Sequence, residues 1–209
     1  MNDDYKEIVK QAIEASHELE YYEEKFDVLD ENGLSINVVL PRTIVHKFGL
    51  WHRAIAGWII NDDNKILIQK RSVKKEKNAG LWDISFAGHI SSGQYSVAAA
   101  AREINEEVAI NIGRHVYVKD FSFITSFRNE FIEKNVIERQ FYELFTLFTE
   151  LNDVKNIDFQ HDEISELKFV DLPTLKKMRN EKDDNGKPIF VKRPDIVFDS
   201  LNDSVFNIV

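Results

Sequence analysis

The chain has 209 residues, which at roughly 100–200 residues per domain means one domain with trimmings or at most two small ones, and enough length for a full hydrophobic core. Hydrophobic residues at 43% and charged residues at 30% exclude wholesale disorder and fibrous classes. With 27 Lys and Arg against 36 Asp and Glu the formal net charge is -9, so there is no basic footprint for a nucleic-acid backbone, and an anionic substrate has to come in with metal ions. The longest apolar run, Ala54 to Ile60, falls far short of the ~20 residues of a membrane helix. The opening Met1-Asn2-Asp3-Asp4 is acidic where a secretory signal is basic, and the absence of Cys leaves no disulfide framework. The expectation is a cytoplasmic protein with no membrane and no nucleic-acid partner.

In chain order, Tyr5, Ile8, Val9, Ala12, Ile13, Ser16 and Leu19 recur at helical spacing and predict an amphipathic N-terminal helix. The sequence leaves it either to dock on its own sheet or to build a homodimer interface. Glu24 to Asp30 and Leu34 to Leu40 flank Glu31-Asn32-Gly33 and predict a hairpin. His52 to Ile60 and Lys65 to Arg71 read as strands about the turn residues Asn61 to Asn64, with Leu81 to Phe86 a short third. From Ser96 to Val108 the period becomes helical, with Val97, Ala101, Ile104 and Val108 as the apolar stripe and Ser96 as N-cap. Val116 to Phe127, Val136 to Thr149 and Glu163 to Val170 return to strand, and Asp171 to Arg179 forms a helix with Pro173 in its first turn. Beyond Asp183-Asp184-Asn185-Gly186, the stretch Pro188 to Val209 has no clear period. The domain boundaries follow as an N-terminal helical extension 1–22, a main domain 23–180 and a C-terminal extension 181–209.

The chemistry concentrates in Gly88-His89-Ile90-Ser91-Ser92-Gly93-Gln94 and in Arg102-Glu103-Ile104-Asn105-Glu106-Glu107-Val108-Ala109-Ile110. At about 100° per residue, Glu103, Glu106 and Glu107 share one helix edge, where like charges repel unless divalent cations neutralise them. Mg²⁺ takes oxygen ligands and is held through a few carboxylates plus substrate phosphates. Arg102 lies four residues from Glu106 and can fix one carboxylate. With the apolar stripe turned to the sheet, the carboxylates are expected to face away from the core.

This spacing resembles the Nudix box, in which Gly, five residues, Glu and seven residues lead into Arg-Glu-U-x-Glu-Glu-x-Gly-U, with U a bulky aliphatic. Gly88, Arg102, Glu103, Ile104, Glu106, Glu107 and Ile110 match, while Gln94 stands in the place of Glu and Ala109 in the place of Gly. The resemblance implies an α/β fold, an α/β/α sandwich around a mixed β-sheet, and hydrolysis of a small-molecule diphosphate with Mg²⁺ or Mn²⁺ as cofactor. It also implies Glu103, Glu106 and Glu107 as metal ligands assisted by Arg102, with the Gly88 carbonyl as a further ligand and Glu103 as the first candidate for base. Glu138 and Glu163, on or beside later strands, are candidates for an added carboxylate, and Glu138 is taken as a metal ligand. Gln94 removes one negative charge and lowers the expected metal affinity.

Trp51-His52-Arg53-Ala54, Gln69-Lys70-Arg71-Ser72, Gly80-Leu81-Trp82-Asp83 and Gly88-His89 further resemble the Nudix branch that holds isopentenyl diphosphate isomerase and its hydrolase relatives. In the isomerase a catalytic Cys precedes the Gly-His pair; here that place is Ala87. The isomerase's metal site uses His and Glu residues, matched by His52, His89 and Glu138, more roughly by His46, with Gln140 at a further acidic position. The intact Arg-Glu-Ile-Asn-Glu-Glu run favours the hydrolase. Arg71, His52, His89 and Trp82 are then expected to contact substrate. An isomerase and a degenerate ligand-binding module stay as alternatives.

Overall fold

The computed structural model describes residues 1–17, 23–107, 116–133, 136–155, 157 and 159–206. Leu19 of the expected N-terminal helix and Val108, Ala109 and Ile110 at the end of the box lie outside the described residues. The described chain divides into two compact units, one of Met1–Ile55, His89–Ala99 and Ser126–Glu143, the other of Ala56–Gly88, Ala100–Thr125 and Leu144–Val209.

The first unit opens on helix α1 (Asp3–Ser16), capped by the Asn2 side chain accepting from the Tyr5 amide. Its apolar face docks on its own chain, with Tyr5, Val9 and Ala12 buried in one cluster with Phe26, Val28, Leu40, Ile44, Leu50 and Trp51. The Tyr5 hydroxyl ties this cluster together by donating to the Leu29 carbonyl at 2.9 Å and accepting from the Trp51 amide at 2.8 Å. Burial pushes this phenol up to about 12, so it stays a donor throughout the physiological range.

Strands β1 (Lys25–Leu29) and β2 (Ser35–Pro41) pair antiparallel as the predicted hairpin. Its turn needs Gly33 at φ +83, and Asp30 Oδ1 accepts from the amides of Asn32 and Leu34. The sequence pattern missed a six-residue helix, α2 (Arg42–Lys47), too short to show a period.

The larger sheet has strand order β5-β4-β3-β8-β7, with β6 paired to β3 and β9 to β4. These strands are β3 (His52–Asn61), β4 (Ile66–Arg71), β5 (Trp82–Asp83), β6 (Phe86–His89), β7 (Phe121–Glu133), β8 (Val136–Thr149) and β9 (Ile164–Val170). Of the predicted third strand, Leu81 to Phe86, only β5 lies within it, and β6 begins at its last residue. The helix of the box, α3 (Ser96–Glu107), begins at Ser96, whose hydroxyl donates to Glu143 Oε2 at 2.6 Å. The chain is an α/β fold with a mixed sheet and an N-terminal helix, and no helix among the described residues is long and apolar enough to cross a membrane.

In the second unit, α4 (Leu172–Asn180) starts at Asp171, whose carboxylate accepts from the Thr174 amide. The C-terminal stretch joins this unit: the Trp82 amide donates to Ile189, the Val191 amide donates to Trp82, and a parallel bridge pairs Trp82 with Phe190. Short helices α5 (Asp195–Asp199) and α6 (Asp203–Phe206) follow, with Val197 and Phe198 buried and the Trp58 indole donating to the Val197 carbonyl. The carboxylate of Asp83, 1% exposed, accepts both Nε and Nη2 of Arg193 at 2.9 and 2.7 Å and the Ile84 amide at 2.9 Å. A buried charge that lost this fork would cost about 3–5 kcal/mol.

Candidate active site

The second unit carries the box acids. Helix α3 buries Ala100 and Ile104, and contrary to the expectation that its carboxylates face solvent, Glu103 is buried too, at 8% exposure. The reason is Gly88, at the junction of the box loop with β6. A Cβ built there would lie 2.4 Å from Glu103 Cδ and 2.6 Å from its Oε1, so Glu103 fills the space that any side chain at 88 would need. Periodicity records the apolar stripe but not a glycine-shaped vacancy beneath a carboxylate.

Arg102 spans two acids: its Nη2 is 2.8 Å from Glu103 Oε1 and its Nη1 donates to Glu106 Oε2 at 3.0 Å. The guanidinium offsets like-charge repulsion between neighbouring carboxylates and fixes one oxygen of each. Glu106 is exposed, so the pair joins a desolvated carboxylate to a hydrated one. Glu107 belongs to the same helix turn.

Arg71 and Trp82, expected at the substrate, lie in this unit as well. Arg71 donates from Nε and Nη2 to the Lys77 carbonyl at 3.2 Å, and its Nη1 is 3.7 Å from Asp83 Oδ2. Lys74 and Lys75 of the adjacent loop pair with Asp162 and Glu163. Trp82 pairs with Lys70 across β4 and β5, with Lys70 Nζ 5.7 Å from its ring centroid.

The first unit holds a second constellation. Potential ligand nitrogens of His46, His52 and His89 lie within 4.8 Å of one another. The His52 and His89 rings are 5.3 Å apart, His46 meets both edge-on at 5.1 Å, and Phe26 stacks on His52 and His89 at 5.2 and 4.9 Å. Glu138 Oε2 sits 2.9 Å from His46 Nδ1, a carboxylate orienting an imidazole as in many metal sites. His52 is 1% exposed and its Nδ1 lies 2.9 Å from the Leu50 carbonyl; a carbonyl can only accept, so the proton is on Nδ1. The structure thus brings His52, His89 and Glu138 together with His46, the roughly matched position, which the short α2 places six residues before His52. Three imidazole nitrogens suit zinc and its first-row neighbours, whereas the oxygen donors around Gly88 suit Mg²⁺ or Mn²⁺.

Burial pulls the His52 imidazole down to about 4, against the opposing effect of its Leu50 hydrogen bond. The unfolded chain therefore takes up this proton first. The neutral ring's contribution is complete above pH 6.5 and is lost as pH falls from there towards 4, by roughly 3 kcal/mol at most. Urea unfolding of the metal-free protein is expected to show its midpoint falling through that window, and His52→Asn should flatten the slope.

Gln94 of the box loop also belongs to the first unit. Its backbone carbonyl accepts from Arg53 Nη2 at 3.1 Å, while its side-chain Oε1 is buried with no hydrogen-bond partner among the described residues. The loop is clamped by β1, with Ser91 and Ser92 donating to Glu24 and Asp27, each at 2.7 Å.

A family model described as the NUDIX domain matches residues 50–191, covering the box, the Gly88–Glu103 contact and the strands around them. The chain belongs to the Nudix hydrolase superfamily. This Nudix chain is 33% identical over 164 residues to Nudix hydrolase 3 of Arabidopsis thaliana, covering 77% of the chain and 21% of that relative. It thus spans about a fifth of the length of the Arabidopsis protein. It is 30% identical over 160 residues to isopentenyl-diphosphate Delta-isomerase 1 of Aromatoleum aromaticum, covering 77% of the chain and 84% of the isomerase. Among solved structures, DR0079 from Deinococcus radiodurans shares the fold with a TM-score of 0.63 at 17% identity, covering 86% of this chain and all of that one.

Proposed function

We propose that this Nudix chain is a divalent-cation-dependent hydrolase that cleaves a diphosphate linkage in a nucleoside diphosphate derivative or related small molecule. The observation that carries the reading is the Gly88 vacancy filled by Glu103, with Arg102 joining Glu103 to Glu106. Mg²⁺ or Mn²⁺ fits the donor set, and Glu103, Glu106, Glu107 and the Gly88 carbonyl would hold it. When bound, such an ion neutralises the diphosphate oxygens and eases attack at phosphorus. Glu103, packed against Gly88, takes the proton from the attacking water. Arg102 pairs with both Glu103 and Glu106 and so offsets the repulsion between them. The first unit supplies cation ligands at His46, His52 and His89, with Glu138 orienting His46.

A second reading, isomerisation of an isoprenoid diphosphate, is favoured by this triad and by the isomerase relative. It is opposed by the lack of any Cys in the chain, Ala87 standing where the isomerase has its catalytic thiol.

The test is a panel of nucleotide sugars, dinucleotides, nucleoside diphosphates and isopentenyl diphosphate, scored for released phosphate and for isomer with Mg²⁺ and with Mn²⁺. Hydrolysis of at least one member is expected, abolished by excess chelator and restored by either cation. Hydrolysis of none, or isomer formation from isopentenyl diphosphate, overturns the reading.

A further inference from the structure

The histidine triad of the first unit is engaged from within the chain. Gln140, 7% exposed, places Nε2 3.3 Å from His52 Nε2 and 3.2 Å from His89 Nε2, and its Oε1 accepts from the Tyr142 hydroxyl at 2.7 Å. Chemistry fixes the direction of these bonds. The Leu50 carbonyl holds the His52 proton on Nδ1, so His52 Nε2 is a bare acceptor that must meet the amide NH₂ and not its carbonyl. The carbonyl then faces Tyr142, which donates. One NH₂ carries two protons, enough to serve both rings. The lone pairs that His52 and His89 would give a cation are therefore already hydrogen-bonded to one amide.

We propose that Gln140, anchored by Tyr142, gates the triad: it holds the His52 and His89 lone pairs on a common point and must turn away before a divalent transition cation can bind. This rests on the reading of the triad as a cation site. The alternative, in which the amide flips to give its oxygen to the cation and its NH₂ to the Tyr142 hydroxyl, would make Gln140 a ligand, and removing it would then weaken cation binding instead of tightening it. In the gate Gln140 acts through the histidines as a positioning residue. It lowers the affinity of the site while keeping its geometry, and loss of its two hydrogen bonds is worth about tenfold in binding.

The experiment measures Zn²⁺ affinity of the full chain by competition with a chromophoric chelator, with Co²⁺ absorption as a check on nitrogen coordination. Gln140→Ala is expected to bind Zn²⁺ about tenfold tighter and Tyr142→Phe tighter by a smaller factor, while His89→Ala, the control, loses the site. ¹⁵N spectra of metal-free wild type should show His52 and His89 with unprotonated Nε2 accepting hydrogen bonds, a readout independent of any variant's folding. Equal or weaker Zn²⁺ binding by Gln140→Ala and Tyr142→Phe, or a protonated Nε2 on either ring, overturns the gate. Absence of Zn²⁺ binding in wild type and both variants instead overturns the cation-site reading, and the gate with it.

Discussion

Gly88→Ala is expected to lower turnover by about 100-fold or more, although the substitution adds one methyl group and touches no ionisable atom. The new Cβ would fall 2.4 Å from Glu103 Cδ, a separation no relaxed structure tolerates, so either the helix or the carboxylate must move. Overpacking of this kind costs about 1–3 kcal/mol of stability, while displacing the base by even ~1 Å is catalytically severe. The measurement is kcat/KM on the best substrate of the panel together with the thermal midpoint. A midpoint lowered by a few degrees with activity nearly lost is the expected pattern. Near-wild-type turnover would mean that the approach of Glu103 to Gly88 has no part in catalysis.

Glu106→Gln and Glu107→Gln are each expected to reduce turnover by at least ~100-fold through lost cation binding. Glu106 is exposed and its partner Arg102 retains Glu103, so the Glu106 change should leave stability within about 0.5 kcal/mol. The loss should be partly recovered at raised Mn²⁺, because an amide still offers one carbonyl oxygen. Unchanged turnover in both variants would refute the assignment of the box acids.

The sequence made the box legible because its chemistry depends on spacing: Arg102 does meet Glu106 one turn on, and the loop from Gly88 does lead into α3. The hairpin was legible from Asn32-Gly33, whose turn requires φ > 0. Three features were not. Glu103 is buried because a glycine on another element leaves room for it, a tertiary fact that helical periodicity does not carry. The helix that carries His46, itself matched only roughly from the sequence, has six residues, and no hydrophobic period accumulates over that length. The C-terminal stretch docks through backbone pairing at Trp82 and the Arg193–Asp83 fork, neither of which leaves a sequence pattern. Gln140 was legible only as a position of the isomerase-type metal site; that its amide meets His52, His89 and Tyr142 is a three-dimensional fact no motif carries.

The most direct test of the account is an anomalous difference map from crystals grown in Mn²⁺. Manganese density ligated by Glu103, Glu106 and Glu107 beside the Gly88 carbonyl is the predicted result. A map with no manganese at these acids, under conditions where the protein hydrolyses its substrate, would contradict it.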